Sequence, residues 1–379
     1  MQYKLFKHTQ PRTNASSIFR CIYDAGEVSR QDIVYNTTLS LPTVRPCLND
    51  LFEKGLVGTS KYYASTGGRK ASAISVEPMS RVAIGVELLK EYIEISAADL
   101  FGNIVREESF KLLYKNSEEY CRQFGALINS FIEALDLKEE NLLEVFISVQ
   151  GIVSQDGDTI ITGKILKNSG LNVSSFQKYV KPKCKFINDT VASTFAELWA
   201  SPELKDAAYI VLNRNLAGAM IVNGRVFQGN SFTGAQNSGM ISHMRLIPGG
   251  IPCYCGQKGC FQGYCSVNSL EESSGLDIET FMKLVHARDE RCVELFDSYL
   301  SYLAIGINNI RMIADSEFII GGYLEELLTD EDLEHLAEKV KSESPFYDMA
   351  FHYRRSAHGS NAPSRGAALI QINNFIDNI

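Results

Sequence analysis

No run of apolar residues in this 379-residue chain approaches the roughly 18 that a membrane-spanning helix needs, so a transmembrane helix is excluded. The first residues, Met1 to Ser17, lack the apolar stretch of a secretory leader, and a cytoplasmic protein is expected. Bulk positive charge is also missing: 37 Lys and Arg face 45 Asp and Glu, a net charge of -8 that argues against nucleic-acid binding over the whole surface. What is present is an ordinary globular composition, 45% hydrophobic and 22% charged, in a chain too long for one core.

The charge is unevenly spread. Residues 1–80 hold 10 Lys and Arg against 6 Asp and Glu, while the remainder holds 27 against 39. A mildly basic head on an acidic body suits a DNA-binding element fused to an effector domain. The head reads as three helices. Ile18, Phe19 and Ile22 give the first an apolar face, Gly26 ends it, and Ser29-Arg30-Gln31-Asp32 caps the second. Ser40 caps a third helix running to about Lys54, with Val44, Leu48, Leu51 and Phe52 inward and Gly55 as its stop. Two strands follow, Leu56–Thr59 and Ala71–Val76, joined by a basic tip around Ser65-Thr66-Gly67-Gly68-Arg69-Lys70. This is the order of a winged helix-turn-helix. Ser40, Thr43, Val44 and Arg45 are the candidate groove residues of the third helix. Gly68, Arg69 and Lys70 are candidates for the wing, meeting phosphates or the minor groove. Pro46 disturbs the pattern, since it removes a donor in the second turn; either the helix starts near Thr43 or its docking face bends. A small helical domain that binds protein is the competing reading.

Nine cysteines are present, and four crowd into residues 253–265. His243, Cys253, Cys255 and Cys260 offer one imidazole and three thiols, a set suited to tetrahedral Zn2+ with no open position, hence a structural ion. Gly249, Gly250, Gly256 and Gly259 allow a tight loop. The alternative is buried thiols beside an unrelated histidine, and Cys265 is left over.

Ser242-His243-Met244 followed by Cys-Tyr-Cys-Gly-Gln-Lys-Gly-Cys at 253–260 resembles the signature of the ROK family of repressors, open reading frames and kinases. The head ending in Gly-Gly-Arg-Lys is similar to that of the family's repressor branch, and the resemblance spans nearly the whole chain. Strand and helix patterns beyond residue 79 already favour an α/β body. The resemblance implies a two-lobed actin-like ATPase or sugar-kinase fold. The division expected is 1–78 for the head, 79–195 for the first lobe and 196–379 for the second.

A kinase of this family needs an Asp-x-Gly-Gly-Thr-Lys hairpin, whose glycines admit phosphate oxygens. The matching stretch here is Gly85-Val86-Glu87-Leu88-Leu89-Lys90, without the glycine pair. A second phosphate turn aligns with Asn213-Arg214-Asn215-Leu216-Ala217, also altered, whereas Gly321-Gly322 resembles the turn near adenine. On the sugar side the resemblance implies ligand-binding roles for Asn168, Asn188, Asp189, His243 and Gln262, with Asp189 in the place of the general base, here idle. As a bare pattern, Asn188-Asp189 is equally a helix cap. Met240 and Gln262 stand where the family has glutamates. The expectation is therefore a DNA-binding regulator, not an enzyme. Its implied partners are operator DNA, a sugar or sugar derivative as effector, and a second copy or three further copies of itself. The alternatives are an active sugar kinase with a regulatory head and a scaffold that does not bind DNA.

Overall fold

The structure is a computed structural model that describes residues 13–62, 72–228, 240–314, 316–345 and 350–379, with 60–62 and 72 described by backbone alone. The wing-tip candidates Gly68, Arg69 and Lys70 lie outside the described residues. Two units emerge from the chain's contacts. One contains the described residues up to Val149 with Asn172–Ile187 and Ser364–Ile379; the other contains Gln150–Leu171 and Asn188–Pro363. These seams differ from 1–78, 79–195 and 196–379. The head belongs with the first body sheet, and the chain's last helix returns to it.

In the head, helix α1 (Asn14–Ala25) is capped by the Thr13 side chain and stopped by Gly26 at φ +80°. Helix α2 (Arg30–Thr37) opens with a reciprocal cap between Ser29 and Asp32, which contributes about 1 kcal/mol. Helix α3 (Leu41–Glu53) is continuous from Leu41, with Pro46 inside it, so a later start near Thr43 is not what the chain adopts. An interior proline costs about 3 kcal/mol. Full burial of Val44, Leu48 and Leu51, at roughly 2 kcal/mol each, outweighs that cost. Strand Val57–Tyr62 pairs antiparallel with Ser72–Val76, and Glu27–Val28 pairs with the other edge of Ser72–Val76. The head is a winged helix-turn-helix.

The body carries the same five-stranded pattern twice. In the first unit the sheet order is 184–188, 142–149, 82–88, 92–99, 104–111. Val82–Leu88, Tyr92–Asp99 and Ile104–Lys111 form an antiparallel meander, and Leu142–Val149 joins Val82–Leu88 in parallel. In the second unit the order is 353–355, 317–321, 207–212, 216–222, 225–226. Again three antiparallel strands are followed by parallel additions, Glu317–Gly321 beside the first of them and Tyr353–Arg355 beside that. This repeat is the actin-like architecture expected. Val82–Leu88 and Ala207–Leu212 are buried along their whole length, which is why both read as unbroken apolar runs rather than alternating strands.

Two glycines set the packing. At Gly85 a Cβ would lie 1.9 Å from the carbonyl oxygen of Ser364, so helix Ala362–Asp377 approaches the first strand through a position only glycine fills. At Gly306, in the long helix Glu290–Arg311 at the core of the second unit, a Cβ would fall 2.2 Å from the Phe261 ring. Phe261 directly follows Cys260 and is fully buried, so the cysteine loop is anchored in the core.

Candidate functional site

The cysteine loop leaves a short 3-10 turn, Ile241–His243, and folds back through bridges between Arg245 and Cys260 and between Pro252 and Lys258. The Cys253 N–H donates to the Gln257 carbonyl, and the Gly256 N–H to that of Cys253, which curls the Cys-Tyr-Cys segment around its own sulfurs. Gly256 and Gly259 take φ of +94° and +79°, and a Cβ at Gly259 would strike the Ile247 carbonyl at 1.7 Å.

Within this loop His243, Cys253, Cys255 and Cys260 bring one ligand atom each to within 4.8 Å of one another, a group able to hold a metal ion. Cys253 Sγ lies 3.6 Å from His243 Nδ1, and Cys255 Sγ lies 3.7 Å from Cys260 Sγ. A tetrahedron with Zn–S of about 2.3 Å and Zn–N of about 2.0 Å has edges of about 3.6 and 3.8 Å. The donor set therefore fits in chemistry, and these two separations match the edges in size. Cys265, the leftover thiol, is fully buried and contacts the Tyr299 carbonyl at 3.9 Å; it stands apart from the cluster.

The same loop carries a residue that spacing gave no reason to single out. Tyr254 Oη lies 3.3 Å from His243 Nε2, the nitrogen facing away from Cys253. Such a partner on the far nitrogen fixes the tautomer of a ligating histidine. Burial, then the charges at Cys253 and Asp189, push the Tyr254 phenol well above its usual range, so it stays protonated. Lys164 Nζ donates to the Cys255 carbonyl at 2.5 Å. Burial first, and then Lys164, lower the pKa of His243, which favours the neutral, ligating imidazole.

Asp189 begins helix Asp189–Ala200, and Asn188 caps it by accepting from the Val191 N–H while donating to the Gly151 carbonyl. The cap reading of Asn188 is thus realised. One carboxylate oxygen of Asp189 accepts from the Thr190 N–H, the Thr190 hydroxyl and the Asn188 amide. Burial raises its pKa to about 6 against the lowering pull of the Thr190 N–H and hydroxyl. The carboxylate raises the Tyr254 pKa further by its charge, while Tyr254 itself meets His243 through its hydroxyl.

Gln262 and Asn168 are placed differently. Gln262 is buried; its oxygen accepts from the Leu216 N–H and its amide donates to Asn215 at 3.2 Å. Its polar ends hold the 213–217 turn. Asn168 is fully enclosed by its own loop, its oxygen packed against Gly163, and neither polar atom of its amide has a protein partner. Met240, at the position where the family has a glutamate, is 40% exposed.

Both segments aligned with phosphate turns are tied to neighbouring parts of the chain by hydrogen bonds. The Lys90 and Glu91 carbonyls accept from the Tyr114 and Leu112 N–H groups, closing the hairpin after Val82–Leu88. In the second unit Asn213 Oδ1 accepts from the Tyr323 N–H at 2.7 Å, bridging the 213–217 turn to the Gly321-Gly322 turn.

In the head, Ser40 and Arg45 are exposed and Thr43 is half-buried, its hydroxyl 2.9 Å from that of Ser40. Val44 is fully buried and cannot meet DNA; its inward role excludes the outward one also expected of it.

The ROK family profile matches residues 83–374. Over 268 residues the chain is 28% identical to the DNA-binding transcriptional dual regulator NagC of Escherichia coli K12, covering 68% of this chain and 64% of that protein, just under two thirds of its length. It is 24% identical over 381 residues to the xylose repressor of Bacillus subtilis 168, covering 97% of each chain. A solved ROK family transcriptional regulator, described as a homologue of the Escherichia coli MLC protein, shares the fold with a TM-score of 0.78 over 96% of both chains at 18% identity. The family profile spans most of the chain, including both body sheets and the cysteine loop, and the chain belongs to the ROK family.

Proposed function

We propose that this protein is a DNA-binding transcription regulator, a repressor, whose body senses a sugar or sugar derivative and does not phosphorylate it. The observation that carries the reading is the head: three helices and a pair of wing strands, with the cap residue Ser40 and Arg45 of the third helix turned to solvent. Relatives along the chain are named repressors, two of them for N-acetylglucosamine and xylose, which supports a monosaccharide or a close derivative as effector. Asp189, Tyr254 and His243 supply acceptors and donors for such a ligand. Zinc is the ion assigned to the cysteine loop, held by His243, Cys253, Cys255 and Cys260; it supplies no reactive position and acts as a cross-link. The protein works in the cytoplasm as a dimer or dimer of dimers, since a helix-turn-helix reads repeated half-sites in pairs.

One observation favours a second reading. Asp189, with its pKa near 6, keeps the chemistry of a general base. The altered phosphate turns, Gly85–Lys90 without the glycine pair and 213–217, argue the other way. A gel shift with the upstream region of its own gene at two salt concentrations, beside a coupled kinase assay over hexoses and amino-hexoses, separates them. Regulation expects retarded, salt-sensitive DNA and no turnover; turnover without a shift reverses the assignment.

A further inference from the structure

Pro46 finds no explanation in the folding of the head. It weakens α3, and it lies on the exposed side of that helix, away from buried Val44, Leu48 and Leu51. The outer stripe of α3 is Leu41, Pro42, Arg45, Pro46, Asn49 and, at its far end, Glu53, all exposed. Their spacing places them along one face. Pro42 and Pro46 sit one turn apart with Arg45 between them, and Leu41 extends the apolar surface at the N-terminal end.

A rigid apolar ridge around one cation has a matching feature in the major groove. Each pyrrolidine ring offers neither donor nor acceptor on its outer side. The groove's apolar marker is the C5 methyl of thymine, while guanine presents two acceptors that a guanidinium fork engages together. Ser40 and Thr43, whose hydroxyls pair with each other, flank the ridge at the helix start, where backbone phosphates approach. We propose that Pro42 and Pro46 are specificity-determining residues that read thymine methyls on either side of a guanine held by Arg45. The inference rests on the head's being a DNA binder, and it assigns a base preference to the two prolines.

The test uses the full chain to select duplexes from a randomised pool. Each thymine of the selected site is then replaced by deoxyuridine, which removes only the methyl. Two thymines next to a guanine are expected to lose affinity about fourfold each, the worth of one buried methyl. Pro46→Ser should abolish the loss at one of these positions and Pro42→Ser at the other, with binding to unselected DNA unchanged. A selected site indifferent to deoxyuridine everywhere overturns the ridge and leaves the DNA reading intact. A pool that yields no preferred sequence from folded protein overturns the DNA reading and the ridge with it. Because the deoxyuridine series is run on the unaltered chain, its result stands even where a proline variant fails to fold.

Discussion

Arg20, in the first helix of the head, forms an ion pair with Asp377, in the last turn of the final helix, with side chains only 6% and 11% exposed. Around it the Ser16 hydroxyl donates to the Ile376 carbonyl at 3.2 Å, and Thr13 donates to that of Ile379 at 2.7 Å. Tyr23 donates to the Leu100 carbonyl and stacks on Phe101 with ring centroids 4.7 Å apart. The head is therefore packed against the final helix and the Leu100–Phe101 turn of the first sheet, rather than hung from a linker. The same last helix grips the sheet through Arg365, paired with both oxygens of Glu107, and through the Ser364–Ser96 hydroxyl contact.

Breaking the Arg20–Asp377 pair from one side should be costly. Arg20→Ala leaves a carboxylate in a poorly solvated place, and a loss of about 3 kcal/mol is expected. Arg20→Met combined with Asp377→Leu should recover most of it, because the desolvation of both charges disappears. Urea denaturation checks this, and a single-variant loss below about 0.5 kcal/mol, the range of an ordinary surface change, would show the pair to be inconsequential.

The cysteine loop predicts a metal count. Purified protein should contain about one zinc per chain by elemental analysis, since four ligands close one tetrahedron. Cys260→Ser should remove it and lower the melting temperature, because Cys260 is nearly fully buried beside the Phe261 anchor. Cys265→Ala should keep the zinc. Loss of metal in the Cys265 variant alone would mean that the ligand set is wrong.

Asp189 predicts a pH dependence with a definite sign. Its folded pKa, about 6, exceeds the ordinary carboxylate value of about 4. Well below pH 4 the folded and unfolded forms are both protonated and no penalty arises. Between pH 4 and 6 the unfolded chain gives up the proton that the folded state keeps, so the folded state loses up to about 3 kcal/mol, fully developed above pH 6. Asp189→Asn should thus be more stable than the parent at pH 7.5, with the difference shrinking toward pH 4.5. Melting curves at four pH values decide it; a variant less stable at pH 7.5 would show that the ionised form is favoured by its surroundings.

Nucleotide should leave the protein unmoved. With Asn213 bound to Tyr323 and the Leu89–Glu91 hairpin closed, Mg-ATP and Mg-ADP at millimolar concentration are expected to give no thermal shift. A magnesium-dependent rise in melting temperature would mean that these turns open to phosphate.

Much of this architecture is local and readable along the chain. The Ser29–Asp32 cap, the Gly26 and Gly55 stops and the Asn223-Gly224 turn, with φ of +54° and +70°, all depend on neighbouring residues alone. The four metal ligands are legible for the same reason: three fall within eight residues, and soft thiols at such spacing have few other uses. Other features depend on partners far along the chain. In the sequence Gln262 reads as a ligand contact, but its amide meets Asn215 and Leu216, a relation no spacing reveals. Tyr254 is an ordinary tyrosine until the loop closes and sets its hydroxyl beside His243. Val44 could have faced either way, since a helix repeat marks a stripe without saying which edge of it a borderline residue joins.

The sequence by itself therefore determined the elements, their order and the identity of the thiol cluster, because caps, periods and ligand spacing act over a few residues. Tertiary structure alone decided that the last helix seals the head to the first sheet, that Gly85 and Gly306 must stay bare, and that burial raises the pKa of Asp189. Those outcomes are set by burial and close approach between segments distant in sequence, and packing of that kind is absent until the chain has folded.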